Sequence, residues 1–532
     1  MSTVLDEVAL DGAPELASLL SASLRAEPRE PVVLALDIGT SGVRALLFDG
    51  RGKPIPGLHT TLSSDLYPAL RGGRDTDADA LVELVEGALD LAVERAGGVV
   101  RRIDYVAVSC FWHSLLGADD QDRAITPLLG WAETRAADFA NQLRSRFDER
   151  AIHRRTGCRL HPSYWPAKLL WLRTEHAELF DKTKRWLSFS DYLALRFFGE
   201  TATSVSMASA TGLFDQRACE WDEELLGTLN IPAERLPPIA LPGQTFQRLR
   251  DAYAARWPSL DRAAWFPAIG DGAANNIGAG CTTREHLALM IGTSGAMRVM
   301  FAGDPPSSLP SALFCYRANR ERVVVGGALS DGGGLVAWMK ETLGLNYDDE
   351  ELELELNAME PDSHSLTVLP FWSGERSTGW STAARGAIIG LTSRTRPIEI
   401  LRAAMEAICY RFALIARALD QIAPDTAVVA AGNALLCSPT WARMIADVLG
   451  RPIRLSATRE ASCRGAALLA LEAIGKIDSI ETVPAEPGEA YVPDMTRHAR
   501  YALAVERQQD LYNQLISHRD AETQSKPKGK EA

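Results

Sequence analysis

From residue 31 onward, runs of β-branched and aliphatic residues alternate with stretches whose apolar positions recur every three or four residues. That alternation predicts an α/β architecture. The clearest strand signal is VVLALDIGTSGVRALLFDGRGKPI, residues 32–55: strand, glycine turn, strand, then a second turn at Asp49-Gly50. LALMIGTSGAMRVMFAGD, residues 287–304, again reads strand, glycine turn, strand. Further on, Ile398, Leu401, Met405, Ile408, Phe412, Ile415, Leu419 and Ile422 alternate spacings of three and four, the stripe of a core helix of about seven turns.

The two strand–turn signals are nearly one sequence. Residues 34–42 read LALDIGTSG and residues 287–295 read LALMIGTSG, differing only where Asp37 is replaced by Met290. Such a repeat implies two structural halves. The seam is expected near residues 282–286, just before the second copy.

Composition narrows the picture. A chain of 532 residues exceeds one core, and roughly two to four domains are expected. No apolar run approaches the roughly 20 residues needed to cross a bilayer, and the acidic N-terminus lacks the basic start of a secretory signal. A cytoplasmic protein with no membrane partner is expected. The net charge of −13 argues against nucleic acid. Eight scattered cysteines form no CxxC pair and indicate neither a zinc site nor a disulfide framework. Residues 1–30 read as an extension closed by EPREP, and residues 516–532 as a disordered tail.

The glycine turns suggest phosphate chemistry. Glycines at both ends of a turn let backbone N–H groups approach an anion, and Thr40, Ser41, Thr293 and Ser294 add hydroxyl donors. No GxxxxGK[ST] loop occurs, and each turn leads into a strand rather than a helix. Two facing hairpins could grip one polyphosphate. Its single Mg²⁺ is usually held through waters and one or two carboxylates. A second carboxylate facing the phosphates would add repulsion with no metal to offset it. Asp37 is therefore expected on the metal side, and Met290 as filler.

The ordered motifs from residue 31 to about 515 resemble the FGGY family of carbohydrate kinases, of the actin/hexokinase-type superfamily. They are DIGTSxxR (Asp37 to Arg44), Ile269-Gly270-Asp271-Gly272-Ala273, the second GTSG, and GGALSDGG (Gly326 to Gly333). Gly374-Glu375-Arg376 with Ala384-Arg385-Gly386-Ala387, Ser438-Pro439 with ADVLGRP, and Glu460-Ala461-Ser462 leading to Arg464-Gly465-Ala466-Ala467 complete the series. The resemblance implies an α/β fold of two duplicated actin-like (ribonuclease H-like) domains around a central ATP and sugar cleft. The first, residues 31–284, would carry the sugar site and base; the second, 285–515, the nucleotide site.

It also implies roles. Asp271 matches the catalytic base and Asp37 the metal-side carboxylate, acting on Mg²⁺ through water; the glycines flanking Asp271 would let the sugar approach. Gly39, Thr40, Ser41, Arg44, Gly292, Thr293, Ser294 and Gly295 would meet the phosphates. Gly332 and Gly333 would leave space beside the nucleotide. Gly432 matches the adenine-pocket glycine, with Asn433 replacing a second glycine at a position where asparagine tolerates the left-handed region. On the sugar side, Cys110-Phe111-Trp112-His113 stands where the family has Q-M-H-G. Trp131-Ala132-Glu133-Thr134-Arg135 stands for W-x-D-x-R. Trp112, His113, Trp131 and Arg135 are the expected substrate contacts, with Trp165 and Lys168 beside them. Asp271-Gly272 and SMASATGLFD (206–215) are closer to the gluconokinase-like branch, for which Arg135, His113 and Lys168 are the available carboxylate partners. Another family member acting on xylulose, ribulose or glycerol, an actin-like ATPase and a sugar sensor stay open, as does a homodimer.

Overall fold

The computed structural model describes residues 29–39, 42–63 and 75–517. Thr40, Ser41, residues 1–28 of the expected extension and 518–532 of the expected tail lie outside the described residues.

A first mixed sheet contains β1 (Val33–Ile38), β2 (Val43–Phe48), β3 (Pro54–Leu62), β4 (Tyr105–Cys110), β5 (Ala264–Trp265) and β6 (Ile269–Gly270). Its order is β6-β4-β1-β2-β3, with β5 also on β4. Every residue of β1 is buried, as its unbroken VLALDI demands of a central strand. A second sheet contains β7 (His286–Ile291), β8 (Gly295–Ala302), β9 (Phe314–Arg317), β10 (Arg322–Leu329), β11 (Ala427–Ala431), β12 (Ile453–Ser456) and β13 (Pro487–Tyr491). It runs β9-β10-β8-β7-β11-β12-β13.

The repeat seen in sequence extends well beyond the turns. Five strands of the second sheet, β10-β8-β7-β11-β12, reproduce β3-β2-β1-β4-β6 in order and in sense. The two hairpin pairings are antiparallel and the two crossover pairings parallel in both. The hairpin register is tighter by one residue in the second copy: Asp37 pairs with Arg44 and Ser109, whereas Met290 pairs with Ala296 and Ala431.

Helices cover the sheets. α1 (Ala78–Ala96) is capped by Asp77, which accepts from the amides of Asp79 and Ala80. Between β4 and β5 a segment with its own core around Leu115, Trp165, Trp186 and Leu213 contributes α2 (Trp165–Glu175). α3 (Asp271–Gly278) leaves β6 directly. α4 (Gly333–Thr342) follows β10, and α5 (Pro397–Leu419) lies under the second sheet. The expected stripe is buried from Ile398 to Leu419, but α5 ends there; Ile422 follows the helix and packs against its core from a turn. Gly295 and Gly327 let α5 close on the sheet, since a Cβ would lie 2.6 Å from Phe412 and 2.8 Å from Ile415 respectively.

α6 (Ala461–Ala473) departs from a simple division along the chain. Although it follows the second sheet, Cys463, Ala466, Leu468 and Leu471 belong to the same core cluster as β1 and β4. It crosses α3 at backbone distance. A Cβ on Gly278 would sit 1.8 Å from the Ala461 carbonyl oxygen, and one on Gly465 would sit 1.8 Å from that of Ala274. Among the described residues no helix is long and apolar enough to cross a membrane.

The backbone obstructing residue 465 cannot swing aside as a side chain can. Gly465→Ala is expected to lower the urea unfolding midpoint by the equivalent of about 1–3 kcal/mol. Gly227→Ala, in the helix Glu223–Leu229 with nothing near its Cβ, should be neutral or slightly stabilising. Equal midpoints for the two variants would contradict the tight crossing.

Candidate active site

A cleft of about 680 Å³ lies between the two sheets. On one wall stands the first hairpin, whose Gly39 amide donates to the Gly42 carbonyl at 3.1 Å. Asp37 sits at the end of β1. It accepts from the Ser109 hydroxyl at 2.8 Å and faces Arg44 at 3.4 Å, while Arg44 also reaches Glu460 at 3.5 Å. Burial raises the Asp37 carboxyl to about 6, against the opposing pull of Arg44 and Ser109; nearby Asp271 and Glu460 add to the rise. This buried acid beside two others fits a hydrated divalent cation, which would offset that cost.

The opposite wall is the second hairpin, with Gly292, Thr293, Ser294 and Gly295 lining the cleft. Its turn is laced to the start of α4. The amides of Gly332 and Gly334 donate to the Thr293 carbonyl, both at 3.0 Å, and that of Gly333 to Gly292 at 2.7 Å. This corrects the expectation for Gly332: it does not line the cleft, and its lack of a side chain serves the turn, since a Cβ would lie 2.7 Å from the Ser294 oxygen. Gly333 and Gly334 do line it. Gly432 and Asn433 lie at the same end. The unusual backbone is at Gly432 (φ 99°), where a Cβ would meet the Ile291 oxygen at 2.3 Å. Asn433 simply begins a short helix, so no left-handed asparagine is required.

Asp271 opens α3, and its Oδ1 accepts from the Gly272 amide at 2.8 Å. Burial raises its pKa, while Arg298, the Gly272 amide and Arg376 pull the other way. The glycines on either side, expected from sequence to let a sugar approach, make room for a side chain instead. Trp112 fills that space: Cβ atoms on Gly270 and Gly272 would lie 1.8 and 2.4 Å from its indole. The indole is fixed by donating Nε1–H to the Ser206 carbonyl at 3.0 Å.

His113, at φ 70°, lines the cleft and bonds Ala210 O through Nδ1 at 2.7 Å. Burial lowers its pKa to about 3, so the ring is neutral near pH 7. The proton that this bond requires on Nδ1 leaves Nε2 an acceptor. Trp131 also lines the cleft, under the Arg376 guanidinium at 4.2 Å.

Three expected contacts are elsewhere. Arg135 does not line the cleft; it grips Glu133 at 2.7 Å and Asp75 at 2.8 Å and stacks over Trp171. Lys168 is buried behind the site, donating from Nζ to the carbonyls of His113 (2.7 Å) and Gly130 (2.8 Å), with burial pulling its pKa to about 7. It supports the His113 backbone. Trp165 is core, donating to the Ser114 carbonyl at 2.8 Å.

Residues not assigned from sequence complete the lining: Tyr164, Asn275, Arg298, Tyr316, Arg376 and Trp380. Arg298 had a visible signal, a lone charge inside the otherwise apolar strand GAMRVMFA. Tyr164 and Tyr316 had none, because their hydroxyls meet at 2.6 Å across 152 residues of chain.

Comparison with known proteins gives this arrangement a family. The model of the N-terminal domain of the FGGY family of carbohydrate kinases matches residues 32–278, and that of its C-terminal domain matches 287–474. The chain belongs to the FGGY family of carbohydrate kinases. FGGY members transfer phosphate from ATP to an alcohol group of a small carbohydrate. The gluconokinase of Bacillus subtilis (strain 168) is 26% identical over 472 residues, 86% of this chain and 91% of that protein. A glycerol kinase of Gloeobacter violaceus is 29% identical over 504 residues, 90% of this chain and 97% of that one. The crystal structure of gluconate kinase from Lactobacillus acidophilus matches with a TM-score of 0.81 at 26% identity, covering 91% of this FGGY chain and 98% of its own.

The raised pKa of Asp37 makes a signed prediction. The folded state holds this proton more tightly than the unfolded chain, so the contribution of Asp37 to stability is present below about pH 4 and is lost as pH rises through 6. Asp37→Asn should therefore raise the unfolding free energy of the ligand-free protein at pH 8 by up to about 2 kcal/mol, an advantage that fades towards pH 4, while turnover collapses. A variant less stable than wild type at pH 8 would show that Ser109 and Arg44 outweigh the burial.

Proposed function

We propose that the protein transfers the γ-phosphoryl group of ATP to a hydroxyl of a sugar acid, with gluconate as substrate. The observation that carries the kinase mechanism is the placing of Asp271 and Asp37 on one side of a cleft whose other side is the Gly292–Gly295 turn. In this reading residues 31–284 supply the acceptor site and base, and residues 285–515 the nucleotide cradle. Support for gluconate comes from the likeness to the gluconokinase of B. subtilis and the gluconate kinase of L. acidophilus. A neutral ketose or polyol is the second reading, favoured by the equally extensive match to a glycerol kinase.

The acceptor hydroxyl lies against Asp271, whose carboxylate takes its proton as the oxygen attacks the γ-phosphorus in line and the bond to the ADP oxygen breaks. Gly292 to Gly295 hold the phosphates from the second unit, and the first hairpin, with Arg44, faces them from the other. Gly432 and Asn433 border the adenine. Asp37 would hold Mg²⁺ through water, and the ion would supply neutralisation of charge on the phosphates. Trp112 and Trp131 bound the sugar, and His113 accepts a hydroxyl proton at Nε2. His113, Lys168 and Arg135 do not serve as carboxylate partners, the first because it is neutral and the others because they face away.

Two measurements test this. In a coupled ADP-release assay over gluconate, xylulose, ribulose and glycerol, gluconate should give the highest kcat/KM; a higher value for a neutral acceptor selects the second reading, and turnover indifferent to every acceptor defeats both. Asp271→Asn should keep ADP binding and the melting temperature yet lower kcat by at least about 10²-fold. Turnover close to wild type would remove Asp271 from the role of base.

A further inference from the structure

Arg298 is nine-tenths buried, yet its Nε and Nη1 have no hydrogen-bond partner. Arg376 is half-buried; one Nη donates to the Leu329 carbonyl at 3.2 Å, and its Nε is buried without a partner. Among the described residues neither guanidinium makes an ion pair with a carboxylate. Arg159 and Arg411 also leave a buried Nε unpartnered, but each is paired through another nitrogen, to Glu149 and Glu375. A buried cation whose N–H groups lack hydrogen-bond partners is costly, and the two cations in one cavity repel each other.

The nearby acids do not resolve this. Asp331 is occupied by the amide and hydroxyl of Ser373, both at 2.9 Å. Asp271 must stay available to the acceptor hydroxyl. The carboxylates that line the cavity therefore leave Nε and Nη1 of Arg298 and Nε of Arg376 without a hydrogen-bonded anion. Its place is the acceptor end: Arg298 packs against Gly272, under Trp112, and Arg376 lies over Trp131. The phosphate cradle is the separate glycine turn at Gly292–Gly295.

We infer that Arg298 and Arg376 form the receptor for the carboxylate of an aldonic acid, fixing the acid end of the acceptor so that a hydroxyl further along its chain meets Asp271. Two guanidinium forks match the planar, two-oxygen geometry of a carboxylate, and a polyol of equal length leaves them unpaired. The inference rests on the reading that the acceptor is a sugar acid, and assigns that acid's recognition to residues of the second unit.

The test compares gluconate with sorbitol, in which a hydroxymethyl group replaces the carboxylate, in wild type, Arg298→Met, Arg376→Met and Arg298→Lys. Melting temperature and ADP binding control for folding. In the methionine variants KM for gluconate should rise about 10–100-fold, the scale of a lost charged hydrogen-bond pair, and the preference for gluconate over sorbitol should fall by a similar factor. Arg298→Lys should recover part of both. If wild type prefers gluconate and the methionine variants lose kcat on both acceptors in equal proportion, the arginines act on the phosphoryl group and the carboxylate assignment is overturned. A preference that survives intact in both variants overturns it as well. A wild type that prefers a neutral acceptor instead overturns the sugar-acid reading beneath it.

Discussion

The crossing of α3 and α6 at Gly278 and Gly465 is the contact on which the rest of the molecule depends. Two carbonyl oxygens occupy the volumes that two Cβ atoms would take, so the helices meet backbone to backbone. Asp271 opens one helix, and Glu460 immediately precedes the other. Because Glu460 reaches Arg44, which faces Asp37, the crossing fixes the spacing of the acids on the first wall. The position of Asp271 is thus set by glycines several residues away from it.

Around that crossing the duplication is used unequally. The hairpins share topology, but Asp37 carries charge into the cleft and Met290 does not. A second acid at position 290 would face the phosphates from the cradle side, where no cation stands to balance it. Similar backbones can therefore serve as metal side and cradle, with the distinction left to one side chain.

Much of this was legible from the chain. The alternation of VLALDI, its glycine turn and the following strand gave the first hairpin, and the near-identical second copy gave the second half. The stripe on α5 gave a core helix, missing only its end, where Asp420 rather than Ile422 closes it. What escaped was three-dimensional. Lys168 and Arg135 look like ligands in sequence because sequence shows that a cation exists, not which way it points. Two carbonyls claim the first and two acids the second. Gly270 and Gly272 look like clearance for substrate, whereas the clearance belongs to Trp112. The Tyr164–Tyr316 contact has no local pattern at all.

That tyrosine pair has a consequence for how such a pocket can change. Tyr164 comes from the segment between β4 and β5 and Tyr316 from the second sheet, and the Gly157 carbonyl accepts from the Cys315 amide at 2.9 Å beside them. The wall of the acceptor pocket is therefore also a seam between the halves of the chain. A substitution that reshapes it for a new acceptor also alters how strongly the halves adhere. Substrate preference and the adhesion of the two halves are therefore coupled through the same pair of side chains.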